Sequence, residues 1–152
     1  MAVIIKKNEF SANQECYTPK EPILEMIDTW KRLYSKEAII WCPFDTKDSN
    51  FVIELQKHFK VVYSHVNDGK DFFSYQPEKW DIIISNPPFQ NKRLLLERVL
   101  SFNKPFWLLY GCSIFNNNGM ANVLNRCGFT FIYKPIKFIN GKKFLCCWVS
   151  NI

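Results

Sequence analysis

The residues best suited to chemistry are the run 85–89, which reads Ser-Asn-Pro-Pro-Phe. The two prolines have no backbone N–H and hold the chain extended, so the carbonyl groups of Asn86 and Pro87 remain available as rigid acceptors. The Asn86 side chain adds an amide, and the aromatic ring of Phe89 follows Pro88 directly. Such a set suits the binding of a planar group that carries an NH2, with acceptors on the amine and a ring against the face.

The position of this run in the predicted fold supports a functional role. The preceding residues 81–84, Asp-Ile-Ile-Ile, form a β-branched run bounded by proline, which predicts a buried strand of a parallel sheet. Asn86 then lies at the carboxyl end of that strand, where open α/β sheets bind their ligands. The alternative is a strand that simply ends in a Pro-Pro turn.

The Asn-Pro-Pro-aromatic run resembles the catalytic motif of the amino-methyltransferases, above all the DNA adenine-N6 methyltransferases, whose relatives modify glutamine and RNA bases. The resemblance implies that Asn86, Pro87, Pro88 and Phe89 are catalytic and that the cofactor is S-adenosyl-L-methionine. It also implies a class I methyltransferase fold: an α/β, Rossmann-like, mostly parallel sheet with a C-terminal antiparallel hairpin and helices on both faces.

A second segment matches at residues 15–19, Glu-Cys-Tyr-Thr-Pro. It resembles the Tyr-Thr-Pro segment that precedes the first helix in many of these enzymes and lies over the methionine part of the cofactor. The resemblance implies that Tyr17 and Thr18 bind the cofactor, with the Thr18 hydroxyl on its carboxylate. The alternative is a plain helix start, because Thr-Pro is common there.

A third segment, Trp-Cys-Pro-Phe-Asp at residues 41–45, stands in the place of the Asp-Pro-Phe-x-Gly-x-Gly loop. The glycines of that family loop are absent from this chain. The run Trp-Cys-Pro-Phe-Asp resembles a loop variant in restriction-associated adenine methyltransferases and phage-borne relatives. The resemblance implies that Pro43, Phe44 and Asp45 contact the cofactor, with Asp45 accepting from its ammonium group. Ser49 predicts a helix N-cap, and the first N–H groups of that helix could bind the cofactor's carboxylate. A merely capping Asp45 is the alternative.

A fourth segment, Asp71-Phe72-Phe73, resembles the Asp-Phe pair that binds the cofactor's adenine. The resemblance implies that Asp71 accepts from the exocyclic amine and that Phe72 packs on the ring. The alternative is an ordinary loop followed by core residues. At the end of the second strand, where an acid normally holds the ribose hydroxyls, this chain has Ser64-His65, so His65 is the candidate there and an ordinary structural histidine is the alternative.

The bulk composition limits the class of protein. The 152 residues predict one domain over residues 1–152, and 47% hydrophobic with 16% aromatic residues exclude disorder. We expect a cytoplasmic protein without a membrane partner, because the sequence has no bilayer-length apolar run and no signal-peptide pattern. The six cysteines lack metal-ligand spacing, which predicts buried reduced thiols and no metal. A net charge of +6 is compatible with a nucleic-acid partner.

The elements alternate in the order typical of a doubly wound sheet. The apolar patterns predict helices over residues 23–34, 50–59, 92–102 and 119–127, and strands over 38–42, 61–66, 80–85, 105–110, 129–139 and 142–149. The last two strands are joined by Asn140-Gly141, a strong hairpin signal.

The resemblance of the four segments implies methyl transfer to the N6 amine of adenine in DNA, with the base flipped out of the stack. Phosphate contacts could come from a basic group that comprises Lys92, Arg93, Lys134, Lys137, Lys142 and Lys143. The alternative is that the lysines near the hairpin only form its solvated face. We expect no separate target-recognition region within residues 1–152, and a homodimer or a specificity partner could supply that surface. Two alternatives stay open: an impaired relative that binds DNA or a partner, and an enzyme that methylates an RNA base or a protein glutamine.

Overall fold

The computed structural model describes residues 18–131, 136–138 and 143–152. Tyr17, Lys134, Lys142 and the predicted turn at Asn140-Gly141 lie outside these residues. The helices are α1 (Glu21–Leu33), α2 (Asn50–Leu55), α3 (Lys92–Ser101) and α4 (Ala121–Leu124). The strands are β1 (Ile39–Cys42), β2 (Lys60–Tyr63), β3 (Ile82–Ser85), β4 (Phe106–Gly111), β5 (Gly128–Phe131), β6 (Ile136–Lys137), β7 (Lys143–Phe144) and β8 (Cys146–Ser150).

Six strands form one sheet in the order β2-β1-β3-β4-β8-β5. The pairs β1–β2, β1–β3 and β3–β4 are parallel, whereas β8 runs antiparallel to both β4 and β5. The predicted Rossmann-like fold with an antiparallel end is therefore confirmed. Strands β6 and β7 form a separate two-stranded antiparallel ribbon. Because β1, β2, β3 and β4 are parallel, their carboxyl ends meet at one edge of the sheet.

The sheet separates two hydrophobic clusters. Alternate residues of β4 face opposite sides, so Trp107 packs in the cluster with α1 and α2 while Leu108 packs in the cluster with α3. Helix α1 buries its residues at helical spacing, namely Ile23, Met26, Ile27 and Trp30. Cys146 and Cys147 fall in opposite clusters, as their adjacent positions in one strand predict.

Some elements are shorter than their patterns predict. Strand β2 ends at Tyr63 rather than residue 66, because the His65 Nδ1 atom accepts a hydrogen bond from the Asn67 N–H and starts a 3-10 turn over Val66–Asp68. That turn ends at Gly69, whose positive φ of 74° suits glycine. Helix α2 ends at Leu55, four residues early, and the predicted helix 119–127 contains only the short α4 preceded by a 3-10 turn. Within the described ranges, no helix has the length and apolar character needed to cross a bilayer.

Candidate active site

A buried carboxylate, Asp45, joins the ends of β1 and β3. Its side chain is 1% exposed, and its backbone N–H donates to the carbonyl of Ser64. The Ser49 hydroxyl donates to Asp45 Oδ1 and the Ser85 hydroxyl to Oδ2, each at 2.5 Å. Short hydroxyl-to-carboxylate bonds of this kind compensate for the loss of water around a buried charge. Ser49 does occupy the N-cap position of α2, but its hydroxyl bonds Asp45 instead of a helix N–H.

The amide of Asn86 is held in a fixed orientation. Asn86 is half-buried, and its Nδ2 donates to Thr18 Oγ1 at 2.9 Å. Thr18 is itself completely buried, and its carbonyl accepts from the Asn50 Nδ2 at 2.6 Å. With Nδ2 engaged, the amide oxygen Oδ1 receives no hydrogen bond from the described residues. The segment before α1, the start of α2 and the end of β3 therefore meet at this amide.

The remaining motif residues lie in the connection between β3 and α3. Pro87 is buried, while Pro88 and Phe89 are half-buried. The Phe89 ring makes an edge contact with Phe144 of β7 at 5.7 Å, and the Lys92 Nζ lies 5.6 Å from the Phe89 ring centroid. Phe89 thus lies between α3 and the β6–β7 ribbon.

The loop that begins at Asp71 is stabilised by a hydrogen bond of the Asp71 side chain and by the packing of the Phe72 ring. Asp71 is exposed, and its Oδ1 accepts from the Phe73 N–H at 3.0 Å, while Oδ2 makes no hydrogen bond within the described residues. The Phe72 ring is only 3% exposed and packs 5.0 Å from Phe44 and 5.6 Å from Trp41, measured between ring centroids. Asp71 is accessible to a ligand, whereas Phe72 is part of the core, so its contact with a cofactor ring stays a prediction.

Arg98 of α3 anchors this same loop. Its Nε donates to the Phe72 carbonyl at 2.6 Å, and its Nη2 donates to the Tyr75 carbonyl at 3.4 Å. The guanidinium also lies 5.3 Å from the Phe72 ring and 5.0 Å from the Phe102 ring. A planar guanidinium suits this arrangement, because it can donate to two carbonyl groups and pack on two aromatic rings.

The end of β2 is occupied by structural hydrogen bonds. The Ser64 hydroxyl accepts from the Trp41 Nε1 at 2.9 Å. His65 is 1% exposed, and burial lowers the pKa of its imidazole from the ordinary value of 6.5, while nearby Asp68 acts in the opposite direction. These contacts favour the structural interpretation of His65, and its role toward the ribose stays a prediction.

The structure thus brings together Thr18, Asp45, Ser49 and Asn86 at one edge of the sheet, and Phe44 with Phe72 beneath it. Phe89 contacts Phe144 and Lys92, and its stacking on a base stays a prediction. Pro43 is buried next to Phe44 at the end of β1. Among the described residues, no group of three His, Cys, Asp or Glu side chains could hold a metal ion.

Sequence reasoning assigned no role to three residues of this region: Ser85, Asn50 and Arg98. Ser85 stands directly before the motif, so a polar residue ending an apolar strand was a usable signal. Asn50 and Arg98 act on backbone carbonyls 32 and 26 residues away in the sequence, and no local pattern indicates such contacts.

A cleft of about 450 Å³ opens beside the aromatic end of the motif. It is lined by Phe89, Asn91, Lys92, Arg93, Leu94 and Asn117. The motif therefore connects two different environments, a buried polar cluster at Asn86 and an open, basic cleft at Phe89.

A scan against protein-family models and a search of curated proteins found no match. Among solved structures, the fold is similar to a chain of the E. cuniculi Mtq2–Trm112 complex, responsible for the methylation of the translation termination factor eRF1. The TM-score is 0.55 at 15% identity, over 90% of this chain and 98% of that chain. It is also similar to a dimethyladenosine transferase from Plasmodium falciparum, with a TM-score of 0.53 at 14% identity, over 85% of this chain and 60% of that chain. At these identities the likeness concerns the fold, which is that of Rossmann-like methyltransferases.

Proposed function

We propose that this chain is an S-adenosylmethionine-dependent methyltransferase that methylates the N6 amine of adenine in DNA. The observation that carries the proposal is the Asn86 amide. Thr18 fixes it at the carboxyl end of β3, with its oxygen not engaged by the described residues. The fold is that of methyltransferases, and this is the edge at which open α/β sheets bind ligands.

S-adenosylmethionine has a methionine part, a ribose and an adenine. The residues present fit its methionine and adenine parts. At the methionine end, Asp45 supplies a carboxylate for the ammonium group, and the Thr18 hydroxyl, which accepts from Asn86, keeps its own O–H to donate to a carboxylate. At the adenine end, Asp71 Oδ2 can accept from the exocyclic amine. Ser64 and His65 provide no carboxylate for the ribose. Bound S-adenosylmethionine supplies a sulfonium methyl group that is reactive toward displacement by an amine.

The chain's own contribution is to orient the target amine. Asn86 Oδ1 and the Pro87 carbonyl oxygen each accept a hydrogen bond from one N–H group of that amine. This pulls the nitrogen toward tetrahedral geometry and directs its lone pair at the methyl group. Phe89 stacks on the extruded base, which must leave the helix because its amine is otherwise paired. Alignment of this kind can supply a large part of the rate enhancement without a covalent enzyme intermediate.

The choice of adenine over a protein amine rests on charge. The two similar structures differ in this respect, since one is described as methylating a protein factor and the other as a dimethyladenosine transferase. The net charge of +6 and the basic cleft beside Phe89 favour a polyanionic substrate. RNA shares this chemistry and is the nearest competitor.

A second candidate is a methyltransferase-like protein that binds nucleic acid without catalysis. It is favoured by the missing glycines at residues 46–49 and by the hydrogen bonds that hold both oxygens of Asp45. Titration with S-adenosylhomocysteine separates the two candidates, because a protein without a cofactor site should not bind it at millimolar concentration.

The deciding experiment measures tritium transfer from labelled S-adenosylmethionine to separate DNA, RNA and protein pools. We expect label in DNA that is resistant to alkali and recovered as N6-methyladenine. Asn86→Ala should lower kcat by about 100-fold or more, comparable to the loss of one transition-state hydrogen bond. Its affinity for S-adenosylhomocysteine should stay near that of the wild type. The control is Asn122→Ala, an exposed asparagine on α4. Unchanged turnover in Asn86→Ala, or label only in RNA or protein, would contradict the proposal.

A further inference from the structure

The cleft at the aromatic end of the motif combines three kinds of chemistry. Phe89 forms an aromatic wall, Lys92 and Arg93 supply positive charge, and Asn91 and Asn117 supply amides. None of its lining residues is acidic. At about 450 Å³ the cleft is large enough for a group of nucleotide size.

The positive charges in the cleft are poorly compensated within the described residues. Lys92 makes no ion pair there, and partial burial lowers the pKa of its amine. Arg93 has Glu97 one helical turn away at 3.8 Å, with both side chains largely exposed. Such pairs contribute only about 0.3–0.5 kcal/mol. The cleft therefore keeps a net positive potential.

The placement of these cations is also unfavourable for the fold itself. Lys92 and Arg93 occupy the first turn of α3, and this turn contains no acidic residue. Positive charge at a helix N-terminus opposes the helix dipole, at a cost of a few tenths of a kcal/mol to about 1 kcal/mol each. Stability does not explain these residues, which suggests that they serve a ligand.

The ribbon that contacts Phe89 shows a second unfavourable arrangement. Its Phe144 touches the Phe89 ring, and Lys137 and Lys143 are direct cross-strand partners that are both exposed. Like charges directly opposite each other destabilise a strand pair. A second pair of cations, neither of which forms an ion pair with a described residue, thus lies on the element packed against the motif's aromatic residue.

We propose that the cleft binds the phosphodiester backbone of a polynucleotide beside the methylated base, with Lys92 and Arg93 on its phosphates. This inference rests on the proposed function and specifies its substrate as a nucleic-acid strand. A glutamine side chain carries no charge and would add no counter-charge to either cation. Phosphates match them, and the aromatic wall suits a base.

The salt dependence of binding gives a quantitative expectation. Each phosphate contacted by a cation contributes about −0.7 to the slope of log K against log salt concentration for a single strand. Removing two contacts should therefore flatten the slope by about 1.4.

The test compares two double variants with the same charge change. In Lys92→Gln/Arg93→Gln the cleft loses both cations, and in the control Lys31→Gln/Arg32→Gln an exposed Lys-Arg pair in the last turn of α1 is removed. Binding of a radiolabelled, adenine-containing single-stranded DNA oligonucleotide is measured by filter retention across a salt series. We expect the cleft variant to bind about 10- to 100-fold more weakly at low salt and to show the flatter slope. The control variant should lose much less affinity.

A phosphate-free substrate separates this site from the catalytic one. We expect kcat/KM for the oligonucleotide to fall in the cleft variant, while kcat/KM for adenosine, which has the same amine and no phosphate, stays within about threefold of wild type. Equal loss in the two double variants, an unchanged salt slope, or equally tight and equally charge-dependent binding of poly-glutamate would overturn the inference.

Different results would contradict the proposed methyl transfer and the proposed phosphate site in the cleft. Absence of methyl transfer by the wild type to every pool would reject the enzyme, and oligonucleotide binding would still test the cleft. If thermal melting shows that the double variant is destabilised, the single variant Arg93→Gln replaces it, because that side chain is 57% exposed. Its salt slope should flatten by about 0.7, and no change would again reject the cleft as a phosphate site.

Discussion

Replacing Ser85 by alanine should destabilise the protein by about 1.5–3 kcal/mol, the usual contribution of a hydrogen bond to a charged group. The Ser85 hydroxyl is one of two that donate to Asp45, a carboxylate that is 1% exposed. Without it, Oδ2 loses a donor in a place with little access to water. For a chain of this size, each kcal/mol lowers Tm by about 2–4 °C, so we expect a decrease of about 3–12 °C.

The measurement is urea denaturation followed by circular dichroism, with the m-value required to stay constant. Ser101→Ala is the control, because that exposed hydroxyl donates only to a carbonyl of its own helix and should change stability by less than about 0.5 kcal/mol. In an Asp45→Asn background the acceptor carries no charge. The cost of Ser85→Ala should there fall to about 0.5–1.5 kcal/mol.

The same substitution has a functional consequence if Asp45 binds the cofactor. A carboxylate that is no longer held in place should bind S-adenosylhomocysteine about tenfold more weakly, which equals about 1.4 kcal/mol. A loss of stability below about 0.5 kcal/mol, or an equal cost in the wild-type and Asp45→Asn backgrounds, would refute the reasoning.

Three further predictions concern neighbouring residues. Thr18→Val removes the oxygen that accepts from Asn86, so kcat should fall about tenfold while Thr18→Ser stays near wild type; equal kcat values in the two variants would exclude an orienting role. Arg98→Lys keeps the charge but loses the two-point contact with the loop carbonyls, and KM for S-adenosylmethionine should rise several-fold with little change in kcat, whereas an effect on kcat alone would argue against loop anchoring. The folded-state pKa of His65 is lowered, so the unfolded chain takes up its proton first as the solution is acidified. The free energy of unfolding should therefore decrease below about pH 6.5 until the folded-state pKa is passed. His65→Asn, which keeps a side-chain acceptor, should remove this part of the pH dependence in urea titrations and His58→Asn should not; an unchanged profile in His65→Asn would contradict the assignment.

The strand that carries the motif could be predicted from sequence because its environment is encoded locally. Ile82, Ile83 and Ile84 are all buried, as a strand covered on both faces requires. The polar residue after them could only lie at the strand end. The position of β8 between β4 and β5 was beyond such reasoning, because the pairing of β8 with β4 across 35 to 43 residues depends on the whole sheet. The resemblance to methyltransferases implied only an antiparallel hairpin at the end of the sheet.

The hydrogen bonds within the site could not be predicted, since each local signal competed with a distant partner. Ser49 has the sequence features of a helix cap, yet its hydroxyl bonds Asp45. Asp45 could equally have capped the helix, and it is held instead by Ser85, 40 residues away. Phe72 was expected against a ligand, and its burial reflects the aromatic side chains that surround it in the folded chain. For Ser49, local propensity correctly predicted the N-cap position but not the hydrogen-bond partner of the hydroxyl, which is Asp45.

All five tryptophans of the chain are buried, and the sheet divides them. Trp30, Trp107 and Trp148 lie in the cluster beneath α1, and Trp41 and Trp80 lie in the cluster beneath α3. Intrinsic emission therefore reports on both layers, and Trp→Phe variants confined to one cluster would leave an optical signal from the other alone. Coincident red shifts of the two signals during denaturation would show that the layers open together. Ligand-induced changes confined to the Trp41 signal would identify the layer next to the Asp71 loop.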